Sequence, residues 1–108
     1  MGIPNPETIT ISGISRQTYH FNVYPRYSSW NSVSGVYVLL KKGLTGTYDT
    51  VYVGETADLK SRFASHHKAS CFDASGWTHL AFLGCADVMR RLQIEADILK
   101  RYHFPCND

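Results

Sequence analysis

The sequence predicts an α+β fold in which a β-hairpin precedes a β-β-α-β-α unit. Three observations lead there: short alternating or continuously apolar stretches, the Gly, Pro and Ser clusters that separate them, and one long amphipathic segment near the C-terminus. A chain of 108 residues with 44% hydrophobic and 19% charged side chains has the composition of an ordinary folded protein. Divided in two, it would leave pieces too small to bury a sufficient core, so one compact unit is expected.

The elements follow in order. Met1 to Glu7 carries two prolines and no periodicity, which predicts a loose arm. Thr8–Ser12 alternates polar and apolar residues and Thr18–Tyr24 is rich in aromatic and β-branched types, so the two read as a hairpin turning at Gly13–Gln17. Tyr24, Tyr27 and Trp30 then lie in a Pro/Ser-rich connection, where rings either pack onto the core or offer stacking faces to bases. Val36–Leu40 is continuously apolar, as a central strand covered on both faces should be. A Gly/Thr-rich loop, Gly43–Asp49, leads to a partner strand at Thr50–Val53. Thr56 is placed to cap a helix with Asp58 in its first turn, running to about His67 or Lys68. Ser75-Gly76 breaks the chain, Trp77–Leu83 reads as a third strand, and Asp87–Tyr102 as a long helix stopped by Pro105.

Composition excludes some functions and leaves others open. No apolar run approaches the ~18 residues that cross a bilayer. The N-terminus lacks the basic start and apolar core of a secretory signal, so a cytoplasmic protein without a membrane partner is expected. The three cysteines, Cys71, Cys85 and Cys106, form no CxxC pair and are expected as free buried thiols. No Cys or His pair has zinc-finger spacing. A net charge of +2 permits a nucleic-acid partner only if the basic residues cluster on one face.

The amphipathic pattern breaks at informative places. On a helical wheel, Val88, Leu92, Leu99 and Tyr102 form the apolar stripe of the last helix, with Arg90, Gln93, Asp97, Lys100 and Arg101 opposite, and Glu95 falls within the stripe. A carboxylate there requires a partner, either a buried arginine or a metal ion. Arg62 and His66, four residues apart on the preceding helix, would project from one face. They form either a solvated basic face or a pair able to hold a phosphodiester and move a proton. Tyr37 and Tyr52 would converge with them only in some strand registers, which the loop length leaves open.

Taken together, Gly35-Val36-Tyr37 followed fifteen residues later by Tyr52-Val53-Gly54 resembles the paired triplets of the GIY-YIG nuclease family. The segment from Gly54 through Arg62, then Glu95 in a helix and Asn107 past its end, is similar to the family's remaining signature. The resemblance spans Gly35 to Asn107. It implies a small mixed, largely antiparallel three-stranded sheet flanked by helices as a nuclease domain over residues 35–108, with residues 1–34 as an N-terminal arm and hairpin extension. It further implies that Tyr37 and Tyr52 are the active-site tyrosines, Arg62 the phosphate contact, Glu95 the metal ligand and Asn107 a supporting amide. His66 stands where members of the family carry a histidine or tyrosine. Glu55 departs from the small residue or lysine of some members.

The activity implied is divalent-metal-dependent hydrolysis of DNA, leaving 5′-phosphate and 3′-hydroxyl ends, with Mg²⁺ as the ion and Mn²⁺ able to substitute. Tyr37 would be the general base, assisted by Arg62, the metal or a relay to His66, and Lys60, Arg62 and Lys68 would meet the DNA. Homodimerisation or a separate specificity subunit are further partner expectations. The alternative is a non-catalytic nucleic-acid-binding module on the same fold.

Overall fold

A computed structural model describes residues 7–107, and the expected N-terminal arm lies largely outside them. Strands β1 (Glu7–Ser12), β2 (Thr18–Pro25), β3 (Gly35–Lys42) and β4 (Tyr48–Thr56) come first, followed by helices α1 (Leu59–Ala64) and α2 (Ala69–Ser75). Strand β5 (His79–Gly84), helix α3 (Val88–Arg101) and a 3₁₀ turn, Pro105–Asn107, complete the described residues.

The α+β class agrees with expectation, but the sheet does not. Its five strands run in the order β1-β2-β5-β3-β4, every neighbouring pair antiparallel. The hairpin is therefore no appendage to a mixed three-stranded sheet. Strand β2 pairs with β5 from Asn22↔Phe82 to Pro25↔His79 and so covers what would otherwise be an open edge. Residues 7–34 and 35–107 thus share one sheet.

Alternation along the strands builds a core on each face. On one side, Ile11, Tyr19, Phe21, Val23, Val36, Val38 and Leu40 pack with Ile94 and Ile98 of α3 and with Phe104. On the other, Tyr37, Leu39, Tyr52 and Leu80 pack with Leu59 of α1, Phe72 of α2, Trp77 and Cys106. The unbroken apolar run of β3 reflects this double cover.

The helix after β4 is shorter than its sequence suggests. Asp58, not Thr56, is its N-cap, accepting the Ser61 backbone N–H at 3.2 Å and the Ser61 hydroxyl at 3.0 Å. The helix ends at Ala64 because Ser65 is extended and Nδ1 of His66 accepts the Lys68 backbone N–H at 3.0 Å, a local bond that competes with helical continuation. A second short helix follows, closed by Gly76 in the left-handed conformation (φ 69°).

Cys71 and Cys106 are joined by a disulfide, which corrects the expectation of free thiols; only Cys85 is free. An odd count excludes a complete set of pairs and does not exclude one pair, and the fold brings α2 and the C-terminal turn together. Disulfides are more common in oxidising compartments, so the bond lends the cytoplasmic expectation no support. Among the described residues no helix is long and apolar enough to cross a membrane.

Candidate active site

Strand register brings the two tyrosines together. Leu39 stands opposite Tyr52 and Tyr37 opposite Gly54, so both phenols project from one face, with ring centroids 5.9 Å apart. The register shifts between Leu39 and Leu40, a bulge in β4 immediately beside Tyr52. Gly54 makes room for the pair: a Cβ there would lie 2.5 Å from the Tyr37 oxygen and 2.8 Å from the Tyr52 ring. Gly35 is needed for a similar reason, its missing Cβ facing the Leu83 carbonyl and the Phe82 ring.

His66 reaches this pair from the α1–α2 turn, not from the α1 face expected beside Arg62. Its Nε2 stands 2.8 Å from the Tyr37 oxygen. Because Nδ1 already accepts the Lys68 N–H, its lone pair is engaged and the neutral ring carries its proton on Nε2. His66 therefore donates to Tyr37. Burial, then the charges of His67 and Arg62, lower its pKa to about 4 and keep the ring neutral near pH 7.

Arg62, in the last turn of α1, and Glu95, half-buried on α3, are electrostatic neighbours of both tyrosines and of each other. Burial and then the charge of Tyr52 push the Tyr37 phenol far above its ordinary range, and Arg62 opposes them. Burial likewise raises Tyr52, whereas its hydrogen bonding with Tyr37 lowers it. Burial and the nearby charge of Glu55 raise the Glu95 carboxyl, against the Glu55 backbone N–H and Arg62.

The buried face of α3 differs from the wheel. Val88, Leu92 and Leu99 are 50%, 44% and 39% exposed, while Arg91, Ile94 and Ile98 are buried. The sheet receives the two isoleucines, and Arg91 enters with them because its charge is compensated. Its Nε donates to Glu55 at 2.9 Å, and one terminal nitrogen donates to the carbonyls of Cys85 and Ala86 at 3.1 and 2.8 Å. Sequence reading anticipated a buried arginine as one partner for Glu95, and such an arginine exists, but it is paired with Glu55. Glu95 is left beside the tyrosines.

Asn107 has a different task. Its amide accepts the Val53 N–H and donates to the Val53 carbonyl, both at 2.9 Å, acting as a one-residue extension of the sheet along edge strand β4. It supports the strand that carries Tyr52. Lys60 is exposed beside Arg62 on α1, and Lys68 is half-buried ahead of α2.

Among the described residues no three His, Cys, Asp or Glu side chains converge as a metal cage. A carboxylate half-buried against a second negative charge, as Glu95 is against Glu55, nevertheless suits a hydrated divalent ion that takes one protein ligand and keeps the rest of its shell as water. The Arg91–Glu55 pair beside it was missed by sequence reading. Its signal was Glu55 itself, an acid where the sequence resemblance led to the expectation of a small residue or a lysine.

Comparison of the chain with family models, with curated proteins and with solved structures gives no match.

Proposed function

We propose that the protein is a divalent-metal-dependent endonuclease of the GIY-YIG type, hydrolysing DNA phosphodiester bonds to leave 5′-phosphate and 3′-hydroxyl ends. The observation that carries the reading is that Tyr37, Tyr52 and His66 meet on one face of the sheet within electrostatic reach of Arg62 and of Glu95, which comes from α3 on the other face.

The residues divide the work of hydrolysis. Arg62 presents a planar fork suited to non-bridging phosphate oxygens. Tyr37 gives its own phenolic proton to solvent, and the phenolate left behind accepts the proton of the attacking water. As a buried phenol it is a poor base alone, and the Nε2–H of His66 and the charge of Arg62 both favour its ionised form. His66 in this tautomer stabilises the phenolate by donation and does not receive its proton. Tyr52, beside Tyr37, orients the phosphate or the water. Glu95 would hold Mg²⁺, or Mn²⁺ in its place, and such an ion supplies positive charge against the phosphate and the leaving oxygen. Asn107 keeps β4 in register, and Lys60 and Lys68 add positive charge along the DNA.

End analysis on a labelled duplex tests the proposal. Incubation with Mg²⁺ should yield 5′-phosphate and 3′-hydroxyl products, and EDTA should abolish them. Binding without cutting in either condition would instead identify a non-catalytic module, and neither binding nor cutting would discard nucleic acid as the partner.

A further inference from the structure

A hollow of about 370 Å³ opens on the α1–α2 side of the tyrosine site, within the ~300–1,000 Å³ range of small-molecule sites. Phe63, His66, Phe72 and Trp77 line it, with Arg26 and Asp73 at its mouth. The rings form a connected set. Phe63 and Phe72 have centroids 6.4 Å apart with planes 26° from parallel, Phe63 and Trp77 are 6.2 Å apart, and His66 lies 4.5 Å from Phe72. The Arg26 guanidinium sits 4.8 Å above the Trp77 ring, held by the Trp77 carbonyl at 3.2 Å and by Asp73 at 2.9 Å.

We infer that this hollow receives one unpaired nucleobase next to the phosphate held at the tyrosine site, so that the preferred substrate is DNA with a single-stranded or displaced nucleotide there. The inference rests on the nuclease reading above and names its substrate class. Continuity with the site is the first argument. His66 touches Tyr37 with one edge and lines the hollow, so roughly one ring width separates the proposed phosphate position from the aromatic walls, as a sugar separates a phosphate from its base. Chemistry is the second. The partly exposed Phe63 and His66 rings and the Arg26 plane can stack on any base, with Phe72 and Trp77 buried in the core beside them, whereas bases within a duplex are already stacked and cannot enter. Charge is the third: Arg26 neutralises Asp73 at the hollow, and the charge of Arg62 is felt at His66 on its wall, so no net negative charge opposes a polyanion there.

The test compares a single-stranded deoxythymidine oligonucleotide with an abasic oligonucleotide of equal length, which has the same charges and no bases. Binding to the full chain is read by fluorescence anisotropy in EDTA, and plasmid cutting is scored in parallel with Mg²⁺. The abasic strand should bind roughly tenfold or more weakly, the loss expected when base stacking is removed. Ala69→Trp, at an exposed position on the rim, should fill the hollow and abolish that difference while circular dichroism shows an unchanged fold. Ala64→Trp fills it from α1 and replaces the first variant should that one fold poorly.

Equal binding of the two strands, or full discrimination retained in a folded, filled variant, overturns the inference. Cutting without base discrimination overturns it while keeping the nuclease reading. Base discrimination that the filled variants lose, without cutting, supports the hollow and discards the nuclease reading. Failure to bind either strand overturns the inference.

Discussion

His66 donates a hydrogen bond from Nε2 to the phenolic oxygen of Tyr37 across 2.8 Å, and the backbone N–H of Lys68 fixes that direction by occupying Nδ1. The histidine thereby favours negative charge on Tyr37 while remaining neutral itself. Replacing His66 by Ala should lower kcat by about 10²-fold, the scale of a lost general acid–base contribution. His66→Gln, whose amide can still donate, should recover part of the loss. Steady-state kinetics on both variants checks the order, and equal rates for the two would remove donation as the cause.

Burial of His66 and the charges of His67 and Arg62 set a pH dependence. With the folded-state pKa of His66 lowered to about 4 from an ordinary 6.5, the unfolded chain binds the proton more readily. The stabilisation is therefore complete above about pH 6.5 and is lost as the pH falls toward 4. NMR titration should show the His66 ring unprotonated until below pH 5, and melting temperature should fall across that window by more in the wild type than in His66→Gln. A titration midpoint near 6.5 would contradict the burial and charge argument.

Tyr37→Phe removes the proposed base and leaves the Nε2–H of His66 without its acceptor. Turnover should drop by about 10²-fold or more with DNA binding nearly unchanged. Stability should fall by about 1–3 kcal/mol, the cost of an unsatisfied donor that is partly shielded from water. Cleavage rates and denaturant titration read the two effects separately.

Gly54→Ala tests how the tyrosines come to share a face. The added methyl would stand 2.5 Å from the Tyr37 oxygen, so one ring or the strand must move. Such overpacking costs about 1–3 kcal/mol. A lower melting temperature together with lost activity is expected, and a variant of wild-type stability and rate would show that the pair tolerates displacement.

Much of this arrangement was legible in the sequence. Local periodicity places every strand to within a few residues, because alternation in β1 and β2 and the apolar run of β3 record directly which faces are buried. What local pattern omits is long-range. Nothing in residues 18–25 signals that β2 would pair with β5, and nothing in two isolated cysteines signals that α2 and the final turn would meet. The wheel of α3 misjudged its buried face because it set the stripe on Val88, Leu92 and Leu99 and passed over the apolar Ile94 and Ile98. The face that packs on the sheet includes Arg91, whose burial depends on Glu55, distant in sequence. The candidate residues were singled out by a resemblance, whereas the shared face of Tyr37 and Tyr52 required the β3–β4 register.

The central claim is tested most directly by the Mg²⁺-dependent cleavage rate of Glu95→Gln measured beside the wild type. The substitution removes the proposed ligand charge and keeps side-chain shape, and because the carboxylate lies half-buried against Glu55, stability should be unchanged or higher. Wild-type protein should cut plasmid DNA with Mg²⁺ and not with EDTA, and the folded variant should lose that activity. A folded Glu95→Gln protein that cuts at the wild-type rate, or a wild type that never cuts, would contradict it.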